Sequence, residues 1–361
     1  MISSASWDRL RPFLWPIAML YWSISWWRNF FYNRGFFIAR KVATPIVSIG
    51  NLSVGGTGKT PATILIASLL RDYGYRVGVL SRGYGRSSGG TVLVSDGEKT
   101  LVGHRKGGDE PLLIAKRLAN VAVVVDEDRY RGAVYLREIA AVDVIILDDG
   151  FQHRGLDRDC DILLLDSTVP PNHYRIFPYG TLRERLSSIK RAHMIIWTKS
   201  NLAEPPLHIR QAVQNQNLLE LRSELIAGPE LIDLANGAQF PVAHFTSQSV
   251  HAFCGIAMPR QFYHTLFNLG IEPMRITYFA DHYAYSDKDL QKLIAQAKNA
   301  DSVLITTEKD GMRLSDLDIP ADTIFTLPVQ MQFSDSDLRL LQERILKCLP
   351  MPSESFGHGE A

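Results

Sequence analysis

Between residues 45 and 200 the chain alternates short apolar runs with longer stretches in which apolar positions recur every three or four residues. The runs 45–49, 76–81, 121–125, 143–148, 161–166 and 193–198 are rich in Val, Ile and Leu and nearly continuous, as strands buried on both faces must be. Helical periodicity fills 60–72, 110–119 and 130–140 between them. This alternation predicts an α/β fold: a mostly parallel sheet with helices on both faces and its ligand at the carboxyl ends of the strands. From residue 204 the pattern loosens. Pro205-Pro206, a polar helix-like run over 208–221, Gly228-Pro229 and Asn236-Gly237 read as connection and turns. A smaller α/β unit follows, with strands over 250–256, 274–279 and 302–306 and helices over 259–269 and 287–298. The boundary falls near Ala227, giving a core domain over 42–226, a C-terminal domain over 227–348 and a disordered tail over 349–361.

Residues 1–41 follow a different rule. Five of the six tryptophans (Trp7, Trp15, Trp22, Trp26, Trp27) lie here, and 12–27 carries no charge. Arg9, Arg11, Arg28, Arg34, Arg40 and Lys41 flank that run against the single acid Asp8. A spanning helix wants about 20 apolar residues, more than this run offers. Bulky aromatics continue through Phe30, Phe31, Phe36 and Phe37, where a signal peptide would show a small-residue cleavage site. Trp15, Met19, Trp22, Trp26 and Phe30 recur at helical spacing and predict one strongly apolar face. Tryptophan favours the headgroup zone and arginine favours anionic lipid, so the segment reads as a membrane-associated helix. A core helix and a true span are the alternatives.

Composition narrows the classes. With 361 residues, 39 basic and 38 acidic, the chain has room for two modest domains and no global field for nucleic acid. Cys160, Cys254 and Cys348 are far apart in sequence, with neither metal spacing nor a disulfide framework, which suits a reducing cytoplasm.

The chemistry begins at Gly50-Asn51-Leu52-Ser53-Val54-Gly55-Gly56-Thr57-Gly58-Lys59-Thr60-Pro61. A strand, a glycine-rich turn and Lys-Thr at a helix start form a phosphate cradle, with backbone N–H groups and the helix dipole facing a polyphosphate. Ser53, Val54, Gly55, Gly56, Thr57, Gly58, Lys59 and Thr60 are the expected nucleotide-binding set, Lys59 reaching the terminal phosphates and the Thr60 hydroxyl a Mg²⁺ ligand. Ser53 stands where the usual pattern has Gly. The strand ending in Asp148-Asp149 supplies a second metal-side carboxylate, Asp148, and Asp149 suggests a further task. Gln152, His153 and Arg154 crowd the same rim.

Gly107-Gly108-Asp109-Glu110-Pro111 places two acids at a helix start, either ordinary capping or a base beside a metal-side acid. Arg82, Tyr84 and Arg86 follow one strand, and Arg129 and Arg131 another, so cations face the phosphate site or stand solvated. Gly180-Thr181-Leu182-Arg183-Glu184 and Asp281-His282-Tyr283 lie further on. A guanine site needs Asp after Asn/Thr-Lys-x. Thr198-Lys199-Ser200-Asn201 ends in an amide, and Thr307-Glu308-Lys309-Asp310 has its Lys one place late, so ATP is favoured over GTP.

The 50–61 run, Ser-Arg-Gly-Tyr-Gly-Arg at 81–86, Gly-Asp-Glu-Pro at 108–111, Asp-Asp-Gly-Phe-Gln-His-Arg at 148–154 and Asp-His-Tyr at 281–283 together resemble the tetraacyldisaccharide 4′-kinases of Gram-negative bacteria. The resemblance runs in order from about residue 7 to about residue 345, and that family shares the Ser at the first loop position. It implies a P-loop kinase that transfers the ATP γ-phosphate to the 4′-hydroxyl of a tetraacylated glucosamine disaccharide 1-phosphate, the lipid A precursor. It implies Mg²⁺, a peripheral or monotopic place on the cytoplasmic face of the inner membrane, and an N-terminal helix touching the bilayer. It implies that Asp109 and His282 work as a pair on the sugar hydroxyl, with Glu110, Asp148 and Thr60 on the metal side. Asp149 joins the catalytic candidates, and Arg82, Tyr84, Gln152, His153 and Arg183 the substrate-binding ones. Neither nucleic acid nor an obligate protein partner is expected. The competing readings are a membrane-associated P-loop switch ATPase or GTPase acting on a protein, and a soluble kinase or ligase for a small metabolite.

Overall fold

A computed structural model describes the chain over residues 4–352, with side chains from residue 13 onward. Nine strands form the larger sheet, in the spatial order Val329–Phe333, Leu219–Ala227, Met194–Thr198, Cys160–Asp166, Ile46–Asn51, Val144–Asp148, Val77–Ser81, Ala122–Val125, Val92–Ser95. All neighbours pair parallel except the two edges, Val92–Ser95 and Val329–Phe333. The six expected strands are the six consecutive members in the middle, each buried along its whole length. Helices over Lys59–Asp72 and Asp109–Arg117 bury their apolar stripes on one face with Val47, Ile49, Val79 and Ile146, while Arg129–Ala140 covers Leu80, Ile145 and Leu147 on the other. The strand Ile46–Asn51 lies between Cys160–Asp166 and Val144–Asp148, where the chain leaves in both directions. Such a switch point opens a crevice at the carboxyl edge.

The second sheet runs Gln239–Pro241, Glu230–Asp233, Ile324–Leu327, Val303–Thr307, Val250–Cys254, Arg275–Tyr278, parallel apart from its first two members. Two expectations need correction here. The run 208–221 is a helix only over Leu207–Gln214, and its end starts the strand Leu219–Ala227. Alternating burial of Leu221 and Ser223 draws that segment into the sheet. The smaller unit also does not keep the chain to residue 348. Val329–Phe333 pairs antiparallel with Leu219–Ala227, and the helix Asp335–Leu346 packs Leu341 and Ile345 into the larger core. An unpaired edge on the large sheet outweighs sequence proximity. Cys348 returns with this helix and packs against the core that holds Cys160. The tail expected at 349–361 begins ordered, since Tyr75 Oη donates to Pro350 O at 2.8 Å, and its part beyond 352 lies outside the described residues.

The N-terminal segment is a helix over Ser4–Asn33. The expected apolar face is only partly turned toward the protein: Met19, Trp22 and Phe30 are half-buried beside the buried Ala18, while Trp15 and Trp26 stay exposed. Met19 and Trp15 border an open cleft whose other wall includes Tyr174, Ile176 and Leu186, and the Arg185 guanidinium stacks 4.1 Å from the Trp22 ring centre. Arg28 Nη2 donates to Glu184 Oε1 at 2.9 Å and Asn29 Nδ2 to Oε2 at 3.2 Å. The opposite face, Phe13, Ile17, Leu20 and Ile24, is apolar too and stands open to solvent. Among the described residues no helix is long and apolar enough to cross a membrane.

Candidate active site

The loop after Ile46–Asn51 is shaped by two glycines. Gly55 (φ 115°) and Gly58 (φ 86°) lie in the left-handed region, and Gly58 caps the helix Lys59–Asp72 without a side chain. Its first N–H groups therefore point out of the loop unclaimed by a cap. Asn51 Nδ2 donates to Thr57 Oγ1 at 2.7 Å, and Val54 N donates to Thr181 O at 2.8 Å, so strand and neighbouring loop hold the cradle open. Ser53 is buried and bridges to Leu182, while Gly56 is exposed and Thr60 buried.

Lys59 Nζ lies 3.8 Å from Asp149 Oδ1. Asp149 (φ 52°) turns off the strand end, and Arg183 Nη1 donates to both of its oxygens, at 3.1 and 2.9 Å. Burial works against its charge, yet Lys59 and Arg183 hold its carboxyl below the usual range. Asp148 points the other way. Thr63 Oγ1 and Ser81 Oγ donate to its two oxygens, at 3.2 and 2.9 Å. Burial, then Glu110 and Asp149, push Asp148 up to about 6. Burial opposes charge on Glu110 as well, but the Lys309 ammonium, 2.5 Å from its Oε1, outweighs it and lowers the pKa.

No three His, Cys, Asp or Glu side chains among the described residues form a ready cage for a metal. A magnesium ion shared with a nucleotide needs none, because phosphate and water fill most of its octahedron. Thr60, Asp148 and Glu110 offer oxygen donors only, the kind a hard cation takes, and the Asp148 carboxylate feels the negative charge of Glu110 beside it. These residues fit the ion.

Asp109 starts the helix Asp109–Arg117, and His282 sits in the smaller unit with a left-handed backbone (φ 56°). The fold brings them together: His282 Nδ1 is 3.6 Å from Asp109 Oδ2. The Asp109 carboxylate beside it raises the His282 pKa, and His282 and Arg313 overcome burial to lower that of Asp109. The exposed Tyr84 ring meets the His282 ring edge-on at 6.0 Å.

The other rim residues divide. Gln152 Nε2 donates to Asn51 O at 2.7 Å, and Arg183 Nη1 reaches Gln152 Oε1 at 3.4 Å. His153 is pushed down to about 4 by burial and by Arg129 and Arg158, so it stands as a neutral imidazole. Arg82 is exposed. Arg129 is buried, feels Asp148 and Asp149, and has a buried Nε with no partner among the described atoms. Arg131 instead grips Asp126 at 2.6 and 2.8 Å, and Arg86 turns to Gly90 O and Glu127, so both are structural cations.

Lys309 and Arg313 of the helix Glu308–Leu314 meet the Gly-Asp-Glu acids, and no motif in their own stretch of sequence marks either as a site residue. The only local signal was Thr307-Glu308-Lys309-Asp310, which reads as a failed guanine loop. Its chemistry depends on a contact some two hundred residues away in sequence.

The family description tetraacyldisaccharide-1-P 4′-kinase (LpxK) matches residues 10–348. A tetraacyldisaccharide 4′-kinase of Desulfotalea psychrophila is 36% identical over 309 residues, 83% of this chain and 87% of that protein. One from Aquifex aeolicus is 38% identical over 307 residues, 84% of this chain and 90% of that protein. The crystal structure of "apo" form LpxK from Aquifex aeolicus in complex with ATP superposes with a TM-score of 0.80 at 34% identity, covering 94% of this chain and all of that one.

Proposed function

The chain belongs to the tetraacyldisaccharide-1-P 4′-kinase family, and on that premise we propose how its own residues carry the reaction. It is an ATP-dependent kinase that transfers the γ-phosphoryl group to the 4′-hydroxyl of a tetraacyldisaccharide 1-phosphate, a step of lipid A biosynthesis. The observation that carries the site assignment is the meeting of Asp109 and His282 across two units, with the adjoining Glu110 in the field of Lys59 and Asp149.

Phosphoryl transfer asks mostly for positioning and for neutralised charge. The Gly55–Thr60 backbone and Lys59 cradle the β- and γ-phosphates. Thr60, Asp148 and Glu110 would hold Mg²⁺, which supplies charge neutralisation on the phosphates. Asp149 fixes the Lys59 ammonium, and Arg183 in turn fixes Asp149. The 4′-oxygen bonds to the γ-phosphorus while the bond from that phosphorus to the β-bridging oxygen breaks, releasing ADP. The hydroxyl proton passes to Asp109, and His282 supports the charge of that carboxylate. A positioned proton acceptor contributes about 10²–10⁴-fold to such a step. Arg82, Tyr84, Gln152, His153 and the buried Arg129 are the residues we assign to the anionic sugar. A switch ATPase would have no use for this pair.

The substrate's acyl chains stay in a membrane. The open face of Phe13, Ile17, Leu20 and Ile24 supports a peripheral or monotopic seat in the interface, on the cytoplasmic side where ATP is supplied. The direct test supplies labelled ATP and the lipid disaccharide monophosphate in mixed micelles to purified protein, with and without chelator. Labelled lipid that disappears on magnesium removal is the expected result. ATP hydrolysis without labelled lipid would return the switch reading.

A further inference from the structure

Arg313 lies on a short helix of the smaller unit, yet its side chain ends against the larger one. It is buried, with 3% of the side chain exposed. Nε donates to Asp109 Oδ2 at 2.6 Å, Nη2 lies 3.4 Å from His282 Nδ1, and Nη1 donates to Gly255 O at 2.9 Å and to Asp310 Oδ1 at 3.0 Å. A guanidinium has five N–H donors. Four contacts absorb most of them, so this cation is not free to reach a phosphate.

Its own place is fixed from behind. Asp310 Oδ1 also accepts from Gly255 N at 3.0 Å and from Tyr285 Oη at 2.9 Å, and Thr307 Oγ1 donates to Asp310 Oδ2 at 2.6 Å. Gly255 closes the frame: its carbonyl accepts from His282 N at 3.1 Å as well as from Arg313. A Cβ at that position would sit 2.9 Å from Ala280 O and 3.1 Å from Asp310 Oδ1, so only glycine lets these segments approach so closely. The same rigid corner therefore holds the arginine and the strained backbone of His282.

We propose that Arg313 is the positioning residue of this site: it pins Asp109 through Oδ2, registers His282 against it, and leaves Asp109 Oδ1 to accept the proton of the sugar hydroxyl. This rests on the reading of Asp109 as proton acceptor. Oδ1 carries no hydrogen bond among the described residues, whereas Oδ2 faces both Arg313 and His282. A lysine cannot reproduce the task. Its point charge can neutralise Asp109 but lacks the planar fork that addresses Asp109, His282 and Gly255 together. The pin also ties proton acceptance to docking of the smaller unit, since without that contact Asp109 loses its orientation.

The test compares Arg313→Lys, Asp109→Asn and the double variant in the full-length enzyme, with labelled ATP and the lipid disaccharide monophosphate in mixed micelles. Misplacement of a reacting group by about 1 Å costs about 10²-fold, so Arg313→Lys is expected to lower kcat by roughly that factor. KM for ATP should stay near wild type, and circular dichroism should show the variant folded at the assay temperature. In the Asp109→Asn background the Arg313 change should add no further loss, because its effect runs through that carboxylate. Added guanidinium ion should restore part of the rate to Arg313→Ala and none to Asp109→Asn. A wild-type kcat in Arg313→Lys, or losses that multiply in the double variant, would overturn the inference. A wild-type kcat in Asp109→Asn alone would instead overturn the proton-acceptor reading beneath it.

Discussion

Each catalytic candidate here is defined by what opposes it. Asp109 is surrounded by Arg313 and His282, Asp149 by Lys59 and Arg183, and Glu110 by Lys309, so most charges are met while Asp148 stays raised near 6. Lys59→Ala and Asp109→Asn should each reduce lipid phosphorylation by at least about 10²-fold with the thermal midpoint preserved. His282→Ala should cost less, since the imidazole supports the carboxylate; a rate equal to wild type would make it structural. His153 adds a pH signature. Its pKa falls from 6.5 to about 4, through burial first and then Arg129 and Arg158, so the fold holds it neutral. That contribution is complete above pH 6.5 and is lost as the pH drops toward 4. The unfolding midpoint of His153→Asn should therefore decline less than wild type across this window. Parallel declines would mean that the imidazole is not held neutral.

At the scale of elements, the N-terminal helix has two apolar faces with different partners. One rests on the segment before and after Leu182, fastened where Glu184 takes Arg28 on one side and Arg191 on the other, at 2.9 and 2.7 Å. Glu184 is 1% exposed, and Glu184→Ala would strand Arg191, at a cost of about 3–5 kcal/mol. Denaturant titration reads that loss, and an unchanged midpoint would show that the helix is fastened elsewhere. The other face should work outside the fold. Leu20→Asp with Ile24→Asp changes exposed positions, so stability should move by no more than about 0.5 kcal/mol while co-sedimentation with anionic vesicles falls. Vesicle binding at the wild-type level would remove this face from the membrane contact.

At the scale of the whole molecule, the two sheets are joined by charge at the catalytic edge and by chain at the far edge. Arg117 Nη1 meets Glu308 Oε1 at 2.7 Å, and Val329 N donates to Glu308 Oε2 at 3.0 Å, just where the chain re-enters the large sheet. Glu308→Ala leaves Arg117 and that N–H without acceptors, and should destabilise the protein by about 2–4 kcal/mol. It should also slow transfer by loosening the contact that carries Lys309 and Arg313. A variant with full activity and stability would show that this junction is redundant.

Local chemistry was enough for much of this protein. Continuous Val, Ile and Leu runs between helical periods settle as strands covered on both faces, and the glycine-rich turn before Lys-Thr joins such a strand to a helix start, so the order of elements over 45–198 was legible along the chain. Pairing over long separations was not. Nothing near Arg313 says that it will rest on Asp109, nothing in 329–346 says that it returns to an open sheet edge, and Trp22 does not reveal which side of its helix is covered. Those outcomes depend on which surfaces meet once hydrophobic burial has closed the fold, a property of the packed chain that no window of neighbouring residues contains.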